Sequence, residues 1–584
     1  MMSSLKTTSI CRSAVVGSIA LLSLPALAGT PQAMTMVPNN ADAVVVIPDL
    51  GELISDMNVV NTMLGDAGSM EVTMMTSVVR GMPGLNLDGS AAVVLDISEH
   101  AFDNMDAVVL VPVSSFADLS QGREAVDGLV ELPMGGDSVF LRDLGDGYAA
   151  MSNDTSVLSA FVPASHTMDQ AKAMLGTAGN RAASSNDLMM YLNLEAIRPM
   201  LDASVEEMEA QIPMIEMMAG ADAAQGFNSF MDMYKTAIKD GHAAVSGLSF
   251  DPQKGFAFDF GMQFKEGSKS ASKFNNDGNA GAYFDRVPAM DFFYAQAFDL
   301  RGEGIQSMLT GYMDMVKDMN ATEMMKGMDF AGMMKSFQGG SMVMGTTNIM
   351  GMTGLMSNTV MYSEGGDAEN TLEMVRDMYN SMGEVEQQGV SIKSSFDDEP
   401  QDINGIQAYA HSMTINVDQA AMGGAAGFGA PDPAMIMQMV YGPSRGPAGY
   451  AAEAGDGMVF TFSQNPELLK SAVDAADGKN TMMSNKGIAA AASMLPDNRV
   501  MEAYVGIDHI LNSVGPMLMM FGVVPEFEPV DGLTPLAFGA TADGGGMMIR
   551  TVMPLETIQT IMEMIPQDMM GGGNDWDDDD DMSF

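Results

Sequence analysis

The segment ADAVVVIPDLGELISDM, residues 41–57, reads as a short apolar strand over Val44 to Ile47, an acidic junction at Asp49, and an amphipathic helix carrying Leu50, Leu53, Ile54 and Met57. A β-branched run favours extended chain, and apolar residues spaced by three and four favour helix. The pattern returns three times: NDLMMYLNLEAIRPML (186–201) with Asn193 at the junction, MDFFYAQAFDLRGEGIQSML (290–309) with Asp299, and MEAYVGIDHILNSVGPML (501–518) with Asp508. A carboxylate or amide there accepts hydrogen bonds from the unpaired N–H groups of a first helical turn. All four residues are therefore expected to be helix caps, and Asp49 has Glu52 at capping-box spacing.

A second matching pair is LGDGYAAMSNDTSVLSAF (144–161) and AGDGMVFTFSQNPELLKSAVDAADG (454–478), each a Gly-Asp-Gly turn, an apolar strand, a polar turn and a short helix. Asp-Gly steps suit tight turns between antiparallel strands. Further strand signals are SAAVVLDI (90–97), DAVVLVPV (106–113), GFAFDFGMQF (255–264) and GGMMIRTVMP (545–554). Long amphipathic stripes follow two junctions: Leu201, Val205, Met208, Ile212 and Ile215, with a kink expected at Pro213, and Ile305, Met308, Leu309, Tyr312, Met315, Val316 and Met319. The expected fold is α+β, with two related halves in which antiparallel sheets pack against long amphipathic helices. The halves span residues 29–275 and 276–565, and MMGGGNDWDDDDDMSF at the end reads as a Gly/Asp-rich disordered tail, 566–584.

Residues 1–28 read as a secretory signal peptide: Lys6 and Arg12, an apolar run, and Ala26-Leu27-Ala28 as a small-x-small cleavage site. The expected location is periplasmic, extracellular or at the cell surface. The one cysteine, Cys11, lies inside that leader, so the mature chain is expected to have no disulfide, thiolate metal site or cysteine nucleophile. The chain holds 76 acidic and 27 basic residues; without Lys6 and Arg12 the mature net charge is −51. Such a surface repels phosphate backbones and anionic headgroups, which argues against nucleic-acid and anionic-membrane partners. No stretch after the leader reaches the roughly 20 apolar residues of a membrane span.

Few residues carry recognisable chemistry. His100, His166, His242, His411 and His509 never fall at helical metal-ligand spacing. Gly442-Pro443-Ser444-Arg445-Gly446 has the G-x-S-x-G form, but Pro447 and Gly449 deny it the helix that a nucleophile elbow needs. Phosphate-binding and dinucleotide fingerprints are missing, and Asp143 with Asp146-Gly147 lacks the alternating ligands of a calcium loop. No cofactor is expected.

Methionine is the outlier, 65 of 584 residues. Between 301 and 450 there are 23 methionines against three leucines, Leu309, Leu355 and Leu372, so methionine stands where a soluble helix ordinarily carries leucine. The richest stretch is EMMKGMDFAGMMK, residues 323–335; its Met324, Met325, Met328, Met333 and Met334 are the candidate copper(I) ligands, since thioethers favour that ion. Exposed thioethers also scavenge oxidants by forming sulfoxides. These features point to an exported, acidic, non-enzymatic binding or structural protein of the cell envelope, whose partner is an apolar ligand held in a methionine-lined groove or an envelope protein. The alternatives are a methionine-based copper(I)-binding or oxidant-buffering protein, and a hydrolase acting through Ser444.

The start VPNNADAVVVIPDLGELI (37–54), AVVLVPVSSFADLSQG (107–122) and GDGYAAMSNDTSVLSAF (145–161) resemble a loosely defined family of large exported bacterial proteins classed as a domain of unknown function. The resemblance implies an exported, duplicated α+β protein and brings no catalytic residue with it; the methionine enrichment departs from that family's pattern.

Overall fold

The computed structural model describes residues 29–564, apart from 64–69, 98–105, 135–136, 252–253, 319–335, 348–352, 366–367, 383, 388–389, 418–432 and 521–526. The candidate ligands Met324, Met325, Met328, Met333 and Met334, as well as His100, the leader and the Asp-rich tail, lie outside the described residues.

The fold is mixed α+β. Its strands in the first part of the chain are β1 Ala43–Ile47, β2 Ala91–Asp96, β3 Asp106–Pro112, β4 Val130–Met134, β5 Asp137–Gly145, β6 Tyr148–Ser152, β7 Leu188–Asn193, β8 Gly241–Asp251 and β9 Gly255–Phe264. Then come β10 Phe292–Asp299, β11 Phe337–Gly345, β12 Thr359–Gly365, β13 Glu384–Gln387, β14 Val390–Phe396, β15 Gln401–Ile403 and β16 Ile406–Val417. The last are β17 Ala448–Ala454, β18 Gly457–Thr461, β19 Arg499–Val505, β20 Leu536–Thr541 and β21 Gly546–Met553. Every pairing is antiparallel, and together they trace one open order: 4-5-6-3-2-1-7-8-9-21-20-19-10-11-12-18-17-16-14-13, with β15 paired to β16. The two Gly-Asp-Gly turns join β5 to β6 and β17 to β18, and Asp146 takes the positive φ of 50° that such a tight turn demands.

Helices cover both faces; those that only complete the numbering are α2 Met70–Gly81, α3 Phe116–Leu119, α4 Thr155–Ala160, α9 Lys269–Lys273, α11 Ala368–Met382 and α12 Pro433–Tyr441. On one side α5, Met168–Ser185, presses Ala171, Leu175, Ala178 and Ala182 onto Val44, Val46, Met189, Tyr191 and Val245. On the other side α1, Leu50–Met63, packs Leu53 and Met57 against Ile47. Beside it α6, Arg198–Glu209, brings Met200 and Leu201 to Ile97, Leu194 and Ile197. The kink expected at Pro213 is a full break: α6 stops at Glu209, and α7, Ile212–Ala219, restarts with Pro213 in its first turn, where its missing N–H costs nothing. The next helix, α8 (Ala221–Asp240), packs on α7 and on α10 (Glu303–Asp318), the helix after the third junction. In the later part of the chain, α13 (Pro466–Ala476) and α14 (Lys486–Ala492) bury Leu468, Leu469, Ala472, Ile488 and Ala491 against β10, β12, β18 and β19.

The four junction residues divide in role. Asp49 is a cap, its Oδ1 accepting from the Glu52 N–H at 2.8 Å. Asn193 caps a turn rather than the helix, accepting from Glu195 and Ala196 while α6 begins at Arg198. Asp299 is fully buried four residues before α10 and grips Arg301 and the Asn279 N–H instead. Asp508 sits inside the first turn of its helix, Ile507–Met520, and ties it to Gly532. One hydrogen-bonding pattern in the sequence thus serves four local geometries, because a carboxylate satisfies whichever N–H the chain leaves nearby.

The middle of the sheet is the β9–β21 pairing, which runs from Gly546 opposite Gln263 to Met553 opposite Phe256. It is reinforced from α5. Gly176 breaks that helix with φ 64°, freeing the Ala178 N–H, and Gln263 enters the gap to accept from it at 3.1 Å. The same amide donates to the Gly544 and Gly545 carbonyls at 3.1 and 3.0 Å. Arg181 reaches across to Asp543 in a bidentate pair of 3.0 and 2.8 Å.

Candidate functional site

At this seam one face of the sheet carries a mostly apolar row that is exposed in part. Directly opposed residues in antiparallel pairs share a face. Following the register, Met190 stands opposite Ser246, Ser246 opposite Phe260, Phe260 opposite Ile549, Ile549 opposite Ala540, and Ala540 opposite Met501. A parallel row runs Leu188, Leu248, Phe258, Thr551, Phe538. Met190, Phe258, Phe260 and Met501 are 40%, 47%, 50% and 42% exposed. Six strands at an inter-strand spacing of about 4.8 Å make the row about 24 Å across. The exposed members stand on β7, β9 and β19; Ser246 and Ile549 between them are half-buried, and Ala540 is buried in a small core that Ile549 and Ile305 of α10 pack against. Lone exposed apolar side chains are ordinary, but Phe258 and Phe260, two residues apart on one face of β9, form a small exposed apolar patch.

The reason lies in the opposite side of β9. Its alternation GFAFDFGMQF places Phe256, Phe258, Phe260 and Met262 on one face and Ala257, Asp259, Gly261 and Gln263 on the other. The polar face is the buried one around Asp259, which is fully inaccessible and directly opposite Arg550. Asn186 donates to Asp259 at 2.6 Å, Arg550 Nε stands 3.4 Å away, and the Arg550 guanidinium donates to the Ser185 carbonyl at 2.9 Å. Burial pushes the Asp259 carboxyl up from its ordinary range, with Arg550 opposing that shift.

A second cluster gathers carboxylates far apart in sequence. Glu52 and Asp56 of α1 and Asp187 before β7 bring carboxylate oxygens within 4.8 Å of one another. An oxygen-only set matches hard divalent cations rather than copper(I). Burial, followed by repulsion from Asp187, Glu52 and Asp251, pushes Asp56 up to about 8. Asp187 rises to about 7 for the same leading reason, although its carboxylate accepts the Phe250 N–H at 2.6 Å. Below about pH 4 folded and unfolded chains both carry these protons; between pH 4 and 8 the unfolded chain ionises first, so folding stability falls as pH rises. Asp56→Asn is expected to stabilise the protein by about 1–2 kcal/mol at pH 9, after discounting for partial exposure, and to change little at pH 4. Urea midpoints at the two pH values check this.

Ser444, His411 and His242 each have structural partners, whereas the buried Nε2 of His166 has none among the described residues. The Ser444 hydroxyl donates to the Tyr441 and Gly446 carbonyls at 3.0 and 2.7 Å, within a tight turn where Arg445 has φ 53°. His411 is buried between the Tyr379 hydroxyl and the Thr461 carbonyl, both at 3.1 Å, and burial lowers it to about 4, leaving it neutral. His242 engages the Met174 carbonyl at 2.9 Å. Among the described residues the buried methionines are spread over separate places: Met34, Met36 and Met189 in one core, Met57, Met231, Met458 and Met482 in four others, and Met548 on β21. No helix among the described residues is long and apolar enough to cross a membrane. No family model matches the chain, and neither a curated protein nor a solved structure matches it.

Proposed function

We propose that the protein is an exported, acidic, non-enzymatic binding protein that holds an apolar ligand on the sheet face spanning β9 and β21. The carrying observation is the half-exposed pair Phe258 and Phe260 on one face of β9, with half-exposed Met190 two strands away on β7 and Met501 three strands away on β19. Methionine adapts to varied apolar shapes, and phenylalanine supplies area with little rotamer entropy to lose. A net charge of −51 in the mature chain disfavours anionic ligands, so the preferred occupant is a neutral apolar molecule.

The same reading takes the chain as two related halves. It is supported by the strand order, in which 6-3-2-1-7-8-9 and 18-12-11-10-19-20-21 correspond strand for strand and meet through their last members. The two Gly-Asp-Gly hairpins and the four junction strands β1, β7, β10 and β19 fall at matching places in that order. The apolar floor then lies where the two halves join, a place where a ligand contacts both.

The test is titration with a neutral apolar fluorophore such as N-phenylnaphthylamine. Phe258→Thr combined with Phe260→Thr keeps β-forming residues at exposed positions and is expected to weaken binding about tenfold through lost apolar contact. Unchanged affinity contradicts the assignment, and dimer dissociation in the variant assigns the face to a second copy instead.

A second reading, oxidant buffering, is supported by Met217 and Met218 of α7, 80% and 79% exposed, beside Met214 at 51% and Met233 of α8 at 45%. These thioethers are oxidisable without disturbing a core. On that reading hydrogen peroxide converts them to sulfoxides while the fluorophore titration stays unchanged, which separates the two activities.

A further inference from the structure

We propose that a polar pocket beside the third junction binds a small zwitterion of the α-amino-acid class. The pocket, about 170 Å³, is lined by Asn279, Ala282, Tyr283, Arg286, Arg301 and Glu364. At about 30 Å³ per water it has room for a molecule of a few heavy atoms, well below drug size. Two of the twelve arginines in the chain meet here.

The walls are fixed before any ligand arrives. Buried Asp299 holds the Arg301 guanidinium through two of its nitrogens and also accepts the Asn279 N–H at 3.0 Å. Arg286 donates to the Ala476 carbonyl at 2.7 Å, reaches Asp456 at 3.3 Å and lies over the Tyr362 ring. The Tyr283 ring is wedged against Gly339, where a Cβ would come within 2.3 Å of it, and the Tyr283 carbonyl accepts from Ser341 at 2.6 Å. Two groups stay open: neither the Tyr283 hydroxyl nor the Glu364 carboxylate makes a hydrogen bond among the described residues. The Tyr283 hydroxyl is held protonated, pushed up to about 12 by burial and then by the charges of Glu364 and Asp299.

Charge selects the ligand class. Arg301 and Arg286 are matched by Asp299 and Asp456, and Glu364 adds a third carboxylate, so the site presents both signs within one small pocket while the strongly acidic chain disfavours a free anion. A ligand carrying both signs suits the site: its carboxylate takes the remaining guanidinium N–H groups and the Tyr283 hydroxyl, and its ammonium takes Glu364. This inference does not use the apolar-binding reading, and either stands if the other fails.

The experiment is saturation-transfer NMR and calorimetry on the full mature chain with L-alanine, and with acetate and methylammonium as single-charge controls at matched ionic strength. Saturable alanine binding is expected, at least about tenfold tighter than either control, with roughly tenfold loss in Glu364→Gln, which removes the charge from a side chain that makes no hydrogen bond among the described residues. Tyr283→Phe provides a second, near-isosteric variant with an expected loss of about threefold. Absence of saturable alanine binding overturns the proposal, as does equal binding of acetate, or alanine affinity unchanged in both variants.

Discussion

Arg550→Met is expected to lower folding stability by about 3–5 kcal/mol at pH 8, the cost of leaving a buried carboxylate without its cation. Asp259 is fully inaccessible, the Arg550 side chain is 10% exposed, and the pair sits in direct register across β9 and β21. The Nε to Oδ1 separation of 3.4 Å is long, and burial already raises the Asp259 carboxyl with the guanidinium present. Without Arg550 that rise grows, so the carboxyl takes up a proton and the penalty shrinks as pH falls toward 5. Asp259→Asn combined with Arg550→Met removes both charges and is expected to recover most of the loss, with Asn186 and Ser185 still able to bond the amide. Urea midpoints of the two variants at pH 5 and 8 check this; a single variant as stable as the parent at pH 8 refutes it.

Gly255→Ala is expected to cost about 3 kcal/mol or more. Its φ of +111° excludes ordinary L residues, and a Cβ there would meet the Met553 carbonyl oxygen at 2.2 Å and the Leu555 nitrogen at 2.6 Å. All of that crowding comes from backbone at the end of β21, so relief means parting the seam. Gly267 also has positive φ, +77°, with nothing within 4 Å of its Cβ position; Gly267→Ala is expected to cost only about 1 kcal/mol. Comparing the two thermal midpoints separates steric collision from conformational strain.

Much of the architecture was readable because it rests on local rules. Strands at 90–97, 106–113, 255–264 and 545–554 stand as β2, β3, β9 and β21 within one or two residues, and both Gly-Asp-Gly turns close hairpins. Apolar alternation and turn chemistry decide these without help from distant parts of the chain. Choice of face was not readable. In GFAFDFGMQF the phenylalanines look like the core side, yet Phe258 and Phe260 face solvent because Arg550, Asn186 and Ser185, supplied from distant segments, make burial of Asp259 affordable. The Glu52, Asp56 and Asp187 cluster was invisible for the same reason: Asp187 lies 131 positions from Asp56 and meets it only through the β1–β7 pairing. The zwitterion pocket likewise joins Arg286 and Arg301 to Glu364 across strands. Asp299 was legible as a hydrogen-bond acceptor but not as the anchor of Arg301, since its sequence context matches three residues that do otherwise.

The measurement that bears most directly on the binding assignment is mass spectrometry of organic extracts from the protein isolated from its native source. The parent and the Phe258→Thr/Phe260→Thr variant are purified side by side. A neutral apolar molecule that accompanies the parent in near-stoichiometric amount and is depleted about tenfold in the variant is the predicted result. Equal recovery from both proteins, or no apolar molecule with the parent, contradicts it.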